Sequence, residues 1–458
     1  MVIDGQSYSY SQLFSIVDQV YSKLANIDSG VIGIVSGNNI GTYASILAVL
    51  YAGKTYVILS PDFPEQRNRE ISRQAAIGHV ITPSGLEPNN DATYYAPEPV
   101  ATCANAYIIF TSGSTGHPKG VPISRANLDA FYQAYSQLGW KLDEHDRMLQ
   151  MFKLTFDVSV VSFLYPLTLG ASVYTVPDEG FKYANVLDVL DTYHITFAAV
   201  APSVLRLSRP FFDRLLLPHL KYMVVTTEAT EASLIADFKS CIPNAQVVNL
   251  YGPTECTIYC TAYFLPTQGS PKQHNGLLCI GRPLKGMKSL IIDENGKLAN
   301  HDEKGELLMS GPQVMSGYLN DASKTQEAMT WIHGTRYYRT GDICYYDESG
   351  EIYCLGRKDM QVKIQGYRID LGEIESRAKA YFMGKRNAVM VAVKCSGQLT
   401  ELHLVVEGKP CDPVGVMHYL AMHVASYMMP KQVHFIDTFP LNANSKIDRN
   451  KIKEIIIS

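Results

Sequence analysis

Residues 111–120 read Thr111-Ser112-Gly113-Ser114-Thr115-Gly116-His117-Pro118-Lys119-Gly120, and this stretch decides the fold. It combines three glycines, four hydroxyl side chains and one lysine. Glycines let a loop turn several backbone N–H groups toward one point, and such a concavity binds anionic oxygens. The hydroxyls add hydrogen-bond donors, and Lys119 adds a positive charge. The composition therefore predicts a loop that holds a polyphosphate.

Before this loop, segments with the periodicity of helices alternate with short segments typical of strands. Residues 10–24 and 42–51 have the spacing of helices, whereas residues 31–35, 56–59 and 107–110 are short apolar runs typical of buried strands. Alternating strands and helices indicate layered α/β architecture with parallel strands. We therefore expect the phosphate loop to follow a buried strand of an α/β sheet. Farther along the chain, a hairpin is predicted across residues 347–350.

The chain length and the net charge limit the classes of protein to which this chain can belong. With 458 residues, of which 46% are hydrophobic and 18% charged, the chain has the composition of a globular protein with more than one domain. The formal net charge of −4 argues against a nucleic-acid partner, because nucleic-acid binders show a basic surplus. Anionic small molecules remain possible ligands, since local donors rather than net charge hold them.

Cysteine, histidine and hydropathy patterns point to a cytoplasmic protein without a structural metal. The nine cysteines include no Cys-x-x-Cys pair, and the N-terminus shows no secretory signal, so free thiols in a reducing compartment are expected. The twelve histidines include no His-Glu-x-x-His motif, which argues against zinc. The apolar stretch at residues 44–53 is too short to cross a bilayer, so no membrane partner is expected.

Two further polar features lie among apolar residues: a single aspartate, Asp157, and the segment at residues 249–255. Asp157 precedes a run of apolar residues, and a buried carboxylate is costly unless a partner compensates it. Residues 249–255, Asn-Leu-Tyr-Gly-Pro-Thr-Glu, form a Gly-Pro turn that exposes Tyr251, Thr254 and Glu255 side by side. A ring, a hydroxyl and a carboxylate suit an adenine face, a phosphate oxygen and a magnesium ion.

The order of these motifs resembles the adenylate-forming superfamily. Its members include acyl-CoA synthetases, luciferases and the amino-acid adenylation domains of nonribosomal peptide synthesis. The resemblance covers residues 10–449 and includes the phosphate loop, residues 249–255, Tyr-Arg-Thr-Gly-Asp at residues 338–342 and Asn-Ala-Asn-Ser-Lys-Ile-Asp-Arg at residues 442–449. Asp157 matches the aspartate that receives the substrate α-ammonium in the amino-acid subfamily, so that subfamily is the one indicated.

The resemblance implies a division into two domains. A large N-terminal domain, residues 1–357, would contain layered α/β sheets and a distorted β subdomain. A small mobile α+β domain, residues 358–458, would follow a hinge at Asp359 and supply the catalytic lysine, Lys446. Gly366 would line the tunnel through which a thiol approaches.

The resemblance also implies residue roles. Catalysis is assigned to Lys446, Glu255 and Thr254, with Glu255 holding Mg²⁺. ATP binding is assigned to Thr111, Ser112, Gly113, Ser114, Thr115, Gly116, Lys119, Tyr251, Asp342 and Arg357. The amino-acid pocket is assigned to Asp157, Val158, Val161, Ala199, Val224, Thr226, Leu250, Ile258 and Tyr259.

The pocket assignment predicts the substrate class. Apart from Asp157 and Lys446, which would hold the amino and carboxyl groups, nothing in the pocket is ionisable near neutral pH, so a charged substrate side chain would be left unpaired. The expected substrate is an uncharged, apolar amino acid. Two departures from the family pattern occur: Thr227 replaces a common glycine, and Gln365 replaces a common arginine.

The implied reaction uses ATP and Mg²⁺ to form an aminoacyl-AMP with release of pyrophosphate. The aminoacyl group would then pass to the phosphopantetheine thiol of a carrier protein acting in trans, because the chain contains no carrier segment. Three alternatives remain open: a D-alanine–carrier protein ligase, a carboxylate–CoA ligase of the same fold, and a non-catalytic nucleotide-binding relative. Asp157 disfavours the CoA ligase, and the combination of Lys446, Asp342 and Glu255 disfavours the non-catalytic relative.

Overall fold

The structure is a computed structural model that describes residues 1–89, 100–113, 116–358, 361–394, 400–441 and 447–457. Four residues with predicted roles lie outside the described residues: Ser114, Thr115, Asp359 and Lys446. Within the described ranges, no helix has both the length and the apolar character that a bilayer crossing requires.

Strands and helices alternate along the chain. The strands are β1 (Val2–Ile3), β2 (Gln6–Ser7), β3 (Val31–Val35), β4 (Thr55–Leu59), β5 (His79–Ile81), β6 (Asn105–Thr111), β7 (Lys119–Ser124), β8 (Arg147–Gln150), β9 (Ser172–Thr175), β10 (Phe197–Val200), β11 (Tyr222–Val225), β12 (Gln246–Tyr251), β13 (Thr261–Phe264), β14 (Gln273–His274), β15 (Leu277–Leu278), β16 (Arg282–Pro283), β17 (Lys288–Ile292), β18 (Gly305–Ser310), β19 (Met329–Ile332), β20 (Thr335–Tyr346), β21 (Ile352–Arg357), β22 (Gln361–Ile364), β23 (Tyr367–Asp370), β24 (Ala388–Lys394), β25 (Thr400–Glu407) and β26 (Gln432–Ile436). The helices are α1 (Tyr10–Leu24), α2 (Ile40–Tyr51), α3 (Glu65–Gln74), α4 (Arg125–Ser136), α5 (Asp157–Thr168), α6 (Lys182–Thr192), α7 (Pro202–Ser208), α8 (Ala232–Phe238), α9 (Ala322–Ala328), α10 (Leu371–Tyr381), α11 (Pro413–Ala421) and α12 (Arg449–Ile457). Short 3-10 turns lie at Arg209–Arg214, Lys239–Cys241, Thr254–Cys256 and Ser426–Met428.

The strand that leads into the phosphate loop belongs to a five-stranded sheet of order β5-β3-β4-β6-β7. β3 pairs in parallel with β4 and β5, and β4 pairs in parallel with β6. Residues 107–109 of β6 are buried, which confirms the predicted buried strand. Helix α1 confirms the predicted helix at residues 10–24 and begins with a capping box at Ser9.

A nine-stranded sheet of order β16-β13-β12-β11-β10-β8-β9-β1-β2 forms the largest layer. Strands β8 to β12 run parallel, with Ala199 opposite Val224 and Val224 opposite Val248. Successive side chains of a strand alternate between the two faces of a sheet. Ala199, Val224 and Val248 therefore share one face and belong to one apolar cluster, while the residues one position earlier belong to a separate cluster on the other face.

A third sheet is antiparallel and irregular. Its order is β17-β18-β20-β19, with β21 paired to β20. Register shifts lie between Glu306 and Leu308 and between Ile343 and Cys344. Bulges of this kind bend a strand and re-aim its side chains. This region corresponds to the predicted distorted β subdomain, and the hairpin predicted across residues 347–350 joins β20 to β21.

The C-terminal residues combine helices with an antiparallel hairpin and a small mixed sheet, in agreement with the predicted α+β class. β22 and β23 are joined by Gln365 and Gly366, whose φ angles are +51° and +81°. Two consecutive left-handed residues match the twist of a two-residue hairpin, as in a type I′ turn. The sheet β24-β25-β26 packs with α10 and α11. The mixed α/β fold with an α+β C-terminal part is confirmed.

The described chain divides into two compact units. The first contains Met1–Leu59, Gln74–Ile109 and Gly120–Lys358. The second contains Ser60–Arg73, Phe110–Lys119 and the described residues of Asp359–Ser458. The sequence prediction placed all residues up to 357 in the first domain, so two of its segments group differently in the structure.

Side-chain contacts explain why these two segments group with the C-terminal residues. An Arg67 guanidinium nitrogen lies 2.5 Å from Glu373 Oε1, and both side chains are buried. The Ser112 hydroxyl donates to the Arg368 carbonyl at 3.0 Å and accepts from the Asp370 N–H at 2.9 Å. Such long-range pairs leave no periodic signal in the sequence. The functional division at residues 357/358, with a hinge at Asp359, stays a prediction.

Arg67→Met is expected to destabilise the protein by about 3–5 kcal/mol, because it leaves the Glu373 carboxylate buried without its cation. The matched control is Arg69→Met on the same helix, where the Arg69–Glu65 pair has side chains 76% and 80% exposed. An exposed pair contributes about 0–1 kcal/mol. Urea unfolding followed by circular dichroism measures both. Equal shifts of the two midpoints would contradict a structural role for the buried pair.

Candidate active site

The glycine-rich loop lies in the second unit and turns sharply after β6. A Cβ on Gly113 would lie 2.3 Å from the His117 carbonyl oxygen, so only glycine fits there. Gly116 has a φ of +83°, and its N–H donates to the Gly113 carbonyl at 3.1 Å. Lys119 begins β7 directly after the turn. The glycines predicted from composition therefore serve a turn in which the backbone approaches itself closely.

This loop already presents a backbone donor to an anionic side chain. The Gly113 N–H donates to Glu373 Oε2 at 3.2 Å, while the other oxygen of that carboxylate pairs with Arg67. Glu373 is completely buried. The Gly113 N–H is thus able to donate to an anionic oxygen, and here Glu373 is its acceptor. The phosphate role of the loop stays a prediction.

Tyr251, Asp342 and Arg357 are brought together in the first unit. Tyr251 ends β12, and its hydroxyl donates to Asp342 Oδ2. Arg357 donates to Asp342 Oδ1 at 3.0 Å and lies opposite it across β20 and β21. Burial raises the pKa of the Tyr251 phenol, and the charge of Asp342 raises it further, so the phenol keeps its proton. The result is a buried carboxylate with fixed orientation, 4% exposed.

Glu255 forms a second buried carboxylate in the same unit. It lies in the Thr254–Cys256 turn, and Tyr318 donates to its Oε1 at 2.8 Å. Within the described residues, no group of three or more histidine, cysteine or acidic side chains could hold a metal. Mg²⁺ is commonly bound by one or two carboxylates together with substrate phosphates and water. Glu255 beside the Thr254 hydroxyl fits a magnesium ion of that kind.

Four of the predicted amino-acid pocket residues share one face of the nine-stranded sheet. Ala199 and Val224 lie opposite each other, and Thr226 and Leu250 continue the same faces of β11 and β12 toward the carboxyl ends of the strands. The apolar cluster on this face contains Val158, Val161, Ala199, Val224, Leu250, Ile258 and Tyr259. This cluster is large and extends from Met1 to Ile352, so it shows a shared core, and the grouping of these residues into one pocket stays a prediction.

Asp157 is the acidic residue next to this apolar cluster. It is 8% exposed and occupies the first position of α5. Free N–H groups at a helix N-terminus stabilise a nearby negative charge. Burial raises the pKa of the Tyr259 phenol, and the charge of Asp157 adds to that rise, so these two side chains are electrostatic neighbours. A carboxylate at the edge of an apolar pocket can receive a cation.

Left-handed backbone occurs directly after Thr226 and at Ile258, two of the predicted pocket residues. Thr227 has a φ of +72°, and Thr257 and Ile258 have φ angles of +56° and +70°. Left-handed backbone is rare for β-branched residues and clusters at functional sites. At position 227 the family commonly has glycine, whereas this chain has threonine. Glycine would adopt the observed backbone conformation at this position without strain.

Sequence reasoning missed three residues of these clusters. Tyr318 donates to Glu255, and Arg67 and Glu373 anchor the phosphate loop. Tyr318 lies in a segment that resembles the family, but a hydroxyl 63 residues from its acceptor gives no local signal. Gly366 lies in the β22–β23 turn, and its predicted thiol-tunnel role stays a prediction.

Thr227→Gly is expected to raise the free energy of unfolding by about 1 kcal/mol, because glycine adopts positive φ without a Cβ penalty. The control is Thr230→Gly, a buried threonine three residues on that lacks positive φ, where glycine should destabilise by about 0.5–1 kcal/mol. Thermal unfolding followed by calorimetry gives both values. Destabilisation by both substitutions would show that Thr227 is not strained.

A family model described as AMP-binding enzyme matches residues 84–319, just over half of the 458 residues. The chain is 30% identical to the anguibactin system regulator of Vibrio anguillarum, over 98% of this chain but only 46% of that protein, so it spans less than half of that relative. It is 29% identical to the D-alanine–D-alanyl carrier protein ligase of Bacillus velezensis, over 98% of this chain and 95% of the ligase.

A solved structure shows the same fold over the whole chain. The adenylation domain AlmE of Vibrio cholerae, in complex with glycyl-adenosine-5′-phosphate, superposes with a TM-score of 0.87 at 24% identity. The superposition covers 99% of this chain and 94% of that one. The family match, the motifs and the fold agree. The chain therefore belongs to the AMP-binding enzyme family.

Proposed function

We propose that this enzyme activates an uncharged, apolar amino acid as its aminoacyl-AMP and transfers the aminoacyl group to the phosphopantetheine thiol of a carrier protein in trans. The observation on which the proposal depends most is Asp157, a buried carboxylate at the edge of an apolar cluster. A carboxylic acid without an amino group would bring no cation to this buried carboxylate. An α-ammonium group would pair with it.

The first half-reaction needs little covalent help from the protein. A substrate carboxylate oxygen bonds to the α-phosphorus of ATP, the bond from that phosphorus to the bridging oxygen breaks, and pyrophosphate leaves with the electron pair. Orientation and charge neutralisation supply the catalysis. Lys446 is assigned to the substrate carboxylate and the α-phosphate. The phosphate loop, residues 111–119, is assigned to the departing phosphates.

The nucleoside end is assigned to the Tyr251–Asp342–Arg357 cluster. A carboxylate can accept hydrogen bonds from two vicinal ribose hydroxyls, and Arg357 holds Asp342 in place at 3.0 Å. The Tyr251 ring would lie against the adenine. Mg²⁺ held by Glu255 would neutralise charge on the phosphates.

The second half-reaction would transfer the aminoacyl group to a thiol. The thiolate attacks the carbonyl carbon of the aminoacyl-AMP, a thioester forms, and AMP leaves. Similarity to a D-alanyl carrier protein ligase over 95% of that protein's length supports a carrier protein as the acceptor. The same similarity favours one second candidate, a D-alanine–carrier protein ligase, which uses the same chemistry with a small D-amino acid.

Amino-acid-dependent exchange between ATP and radiolabelled pyrophosphate tests the proposal. The panel comprises L- and D-amino acids of every side-chain class together with fatty and aryl acids. We expect exchange with one or a few uncharged, apolar amino acids and background with the other acids. Exchange with D-alanine alone would select the second candidate. Exchange confined to fatty or aryl acids would overturn the amino-acid assignment.

Asp157→Ala is expected to lower amino-acid-dependent exchange by about 10²-fold or more, because breaking a buried charge pair costs about 3–5 kcal/mol. Exchange with the deaminated analogue of the same acid should change little. Asp129→Ala, at an exposed aspartate of α4, is the control and should leave both rates unchanged. Equal losses for the amino acid and its deaminated analogue would remove Asp157 from ammonium recognition.

A further inference from the structure

Two cysteines face each other beside the proposed ribose site. Cys344 on β20 and Cys354 on β21 are direct partners in the antiparallel register. Directly opposed residues of an antiparallel pair have Cα atoms about 4.5–5.5 Å apart, which lies inside the window of about 4.4–6.8 Å that a disulfide tolerates. The hairpin thus already holds the two backbones at a separation that a cross-strand disulfide tolerates.

The two thiols differ in access and are in contact with each other. Cys344 is completely buried, whereas Cys354 is partly exposed. Burial raises the pKa of the Cys344 thiol, and a hydrogen bond with Cys354 raises it further. The Cys354 thiol can therefore react with an oxidant from solvent. The Cys344 thiol opposite it stays protonated.

The cysteine pair lies next to the residues that we propose to bind the nucleotide. Asp342 and Arg357 form the adjoining ion pair on the same two strands, at 3.0 Å. A register shift separates Ile343 from Cys344, so the ladder is irregular at this point. The thiols of Cys260, Cys344 and Cys354 also lie close enough to the Tyr251 phenol to contribute to its raised pKa, behind the effects of burial and of Asp342.

We propose that Cys344 and Cys354 form a reversible cross-strand disulfide under hydroperoxide stress, and that this disulfide lowers the affinity of the enzyme for adenine nucleotides. The second part rests on the proposed nucleotide role of Asp342. The cysteine pair is a site of oxidative modification. Its oxidation would slow the enzyme at nucleotide binding, before any ATP is consumed.

The chemistry balances with a hydroperoxide as oxidant. The Cys354 thiolate attacks one peroxide oxygen, the O–O bond breaks, and protonation of the departing oxygen gives water or an alcohol. The sulfenic acid left on Cys354 is then attacked by the Cys344 sulfur. The S–S bond forms, and the Cys344 proton leaves with the sulfenic hydroxyl as water. Two thiols are oxidised and one peroxide is reduced.

The disulfide would act by fixing torsions in the hairpin. The S–S bond holds the dihedral about itself near ±90°, a constraint that two separate thiols do not carry. The two backbones adjust to this dihedral two residues from Asp342 and three from Arg357. Because the Asp342 carboxylate is oriented by both Tyr251 and Arg357, a local twist of either strand misaligns the acceptor that the ribose hydroxyls need. Loss of one or two hydrogen bonds predicts an affinity about tenfold lower.

The sequence supplies a direct chemical assay. Trypsin cleaves after Arg339 and Arg357, and the peptide at residues 340–357 contains Cys344 and Cys354 and no other cysteine. The full chain is reduced, desalted, treated with hydrogen peroxide and alkylated with iodoacetamide before digestion. We expect this peptide to lose two hydrogen atoms and to resist alkylation. Prior treatment with dithiothreitol should restore two alkylated cysteines.

Calorimetric titration with AMP measures the consequence. Oxidised wild-type protein should bind AMP about tenfold more weakly than reduced protein and recover with dithiothreitol. Cys354→Ser should bind AMP like the reduced wild type and resist peroxide. Cys103→Ser, which removes an exposed cysteine elsewhere, should remain sensitive.

Each other outcome overturns part of the proposal. Two alkyl groups on the 340–357 peptide after peroxide would show that the disulfide does not form. A disulfide with unchanged AMP affinity would refute the effect on nucleotide binding, and so would peroxide sensitivity that persists in Cys354→Ser. Failure of pyrophosphate exchange in the reduced enzyme would count against the proposed function, and the peptide assay is independent of that result.

Discussion

A carboxylate buried against an apolar cluster constrains what this site can bind. Asp157 occupies the first turn of α5, the end of a helix whose dipole favours negative charge. The side chains that share its cluster are apolar or aromatic. A ligand that fills this space without a positive group would desolvate the carboxylate without replacing its lost hydration. This placement supports the proposal that the site receives an ammonium group.

Sheet geometry explains why residues so distant in sequence meet there. Parallel strands end at the same edge of a sheet, and ligands of open α/β sheets bind beyond those carboxyl ends. β10, β11 and β12 each contribute a residue to the same face, and the segment after β12 returns with Ile258 and Tyr259. The strained backbone at residues 257–258 is the local cost of turning both side chains inward.

Much of this arrangement could be predicted from the sequence. The buried strand before the phosphate loop, the helix at residues 10–24 and the hairpin across residues 347–350 each depend on local periodicity or turn chemistry, and each is present. The family motifs also predicted that Asp342 and Arg357 act together, and their cross-strand pairing agrees with that prediction.

Other features could not be predicted, because they depend on tertiary contacts. The pairing of Arg67 with Glu373 joins residues 306 positions apart and draws residues 60–73 and 110–119 into the second unit. The hydrogen bond from Tyr318 to Glu255 likewise joins two segments with no shared pattern. The left-handed conformation of Thr227 was indicated only by the glycine that the family commonly has there. Lys446 and Asp359 lie outside the described residues, so their roles still rest on sequence motifs.

The central claim is that the buried carboxylate of Asp157 selects for an α-ammonium group. Its most direct measurement compares two non-hydrolysable adenylate mimics by calorimetry on the wild-type enzyme: an aminoacyl sulfamoyl-adenosine and the same molecule without its amino group. We predict that removal of the amino group weakens binding by about 10²-fold or more, the equivalent of one buried charge pair. Equal affinities for the two mimics would contradict the account.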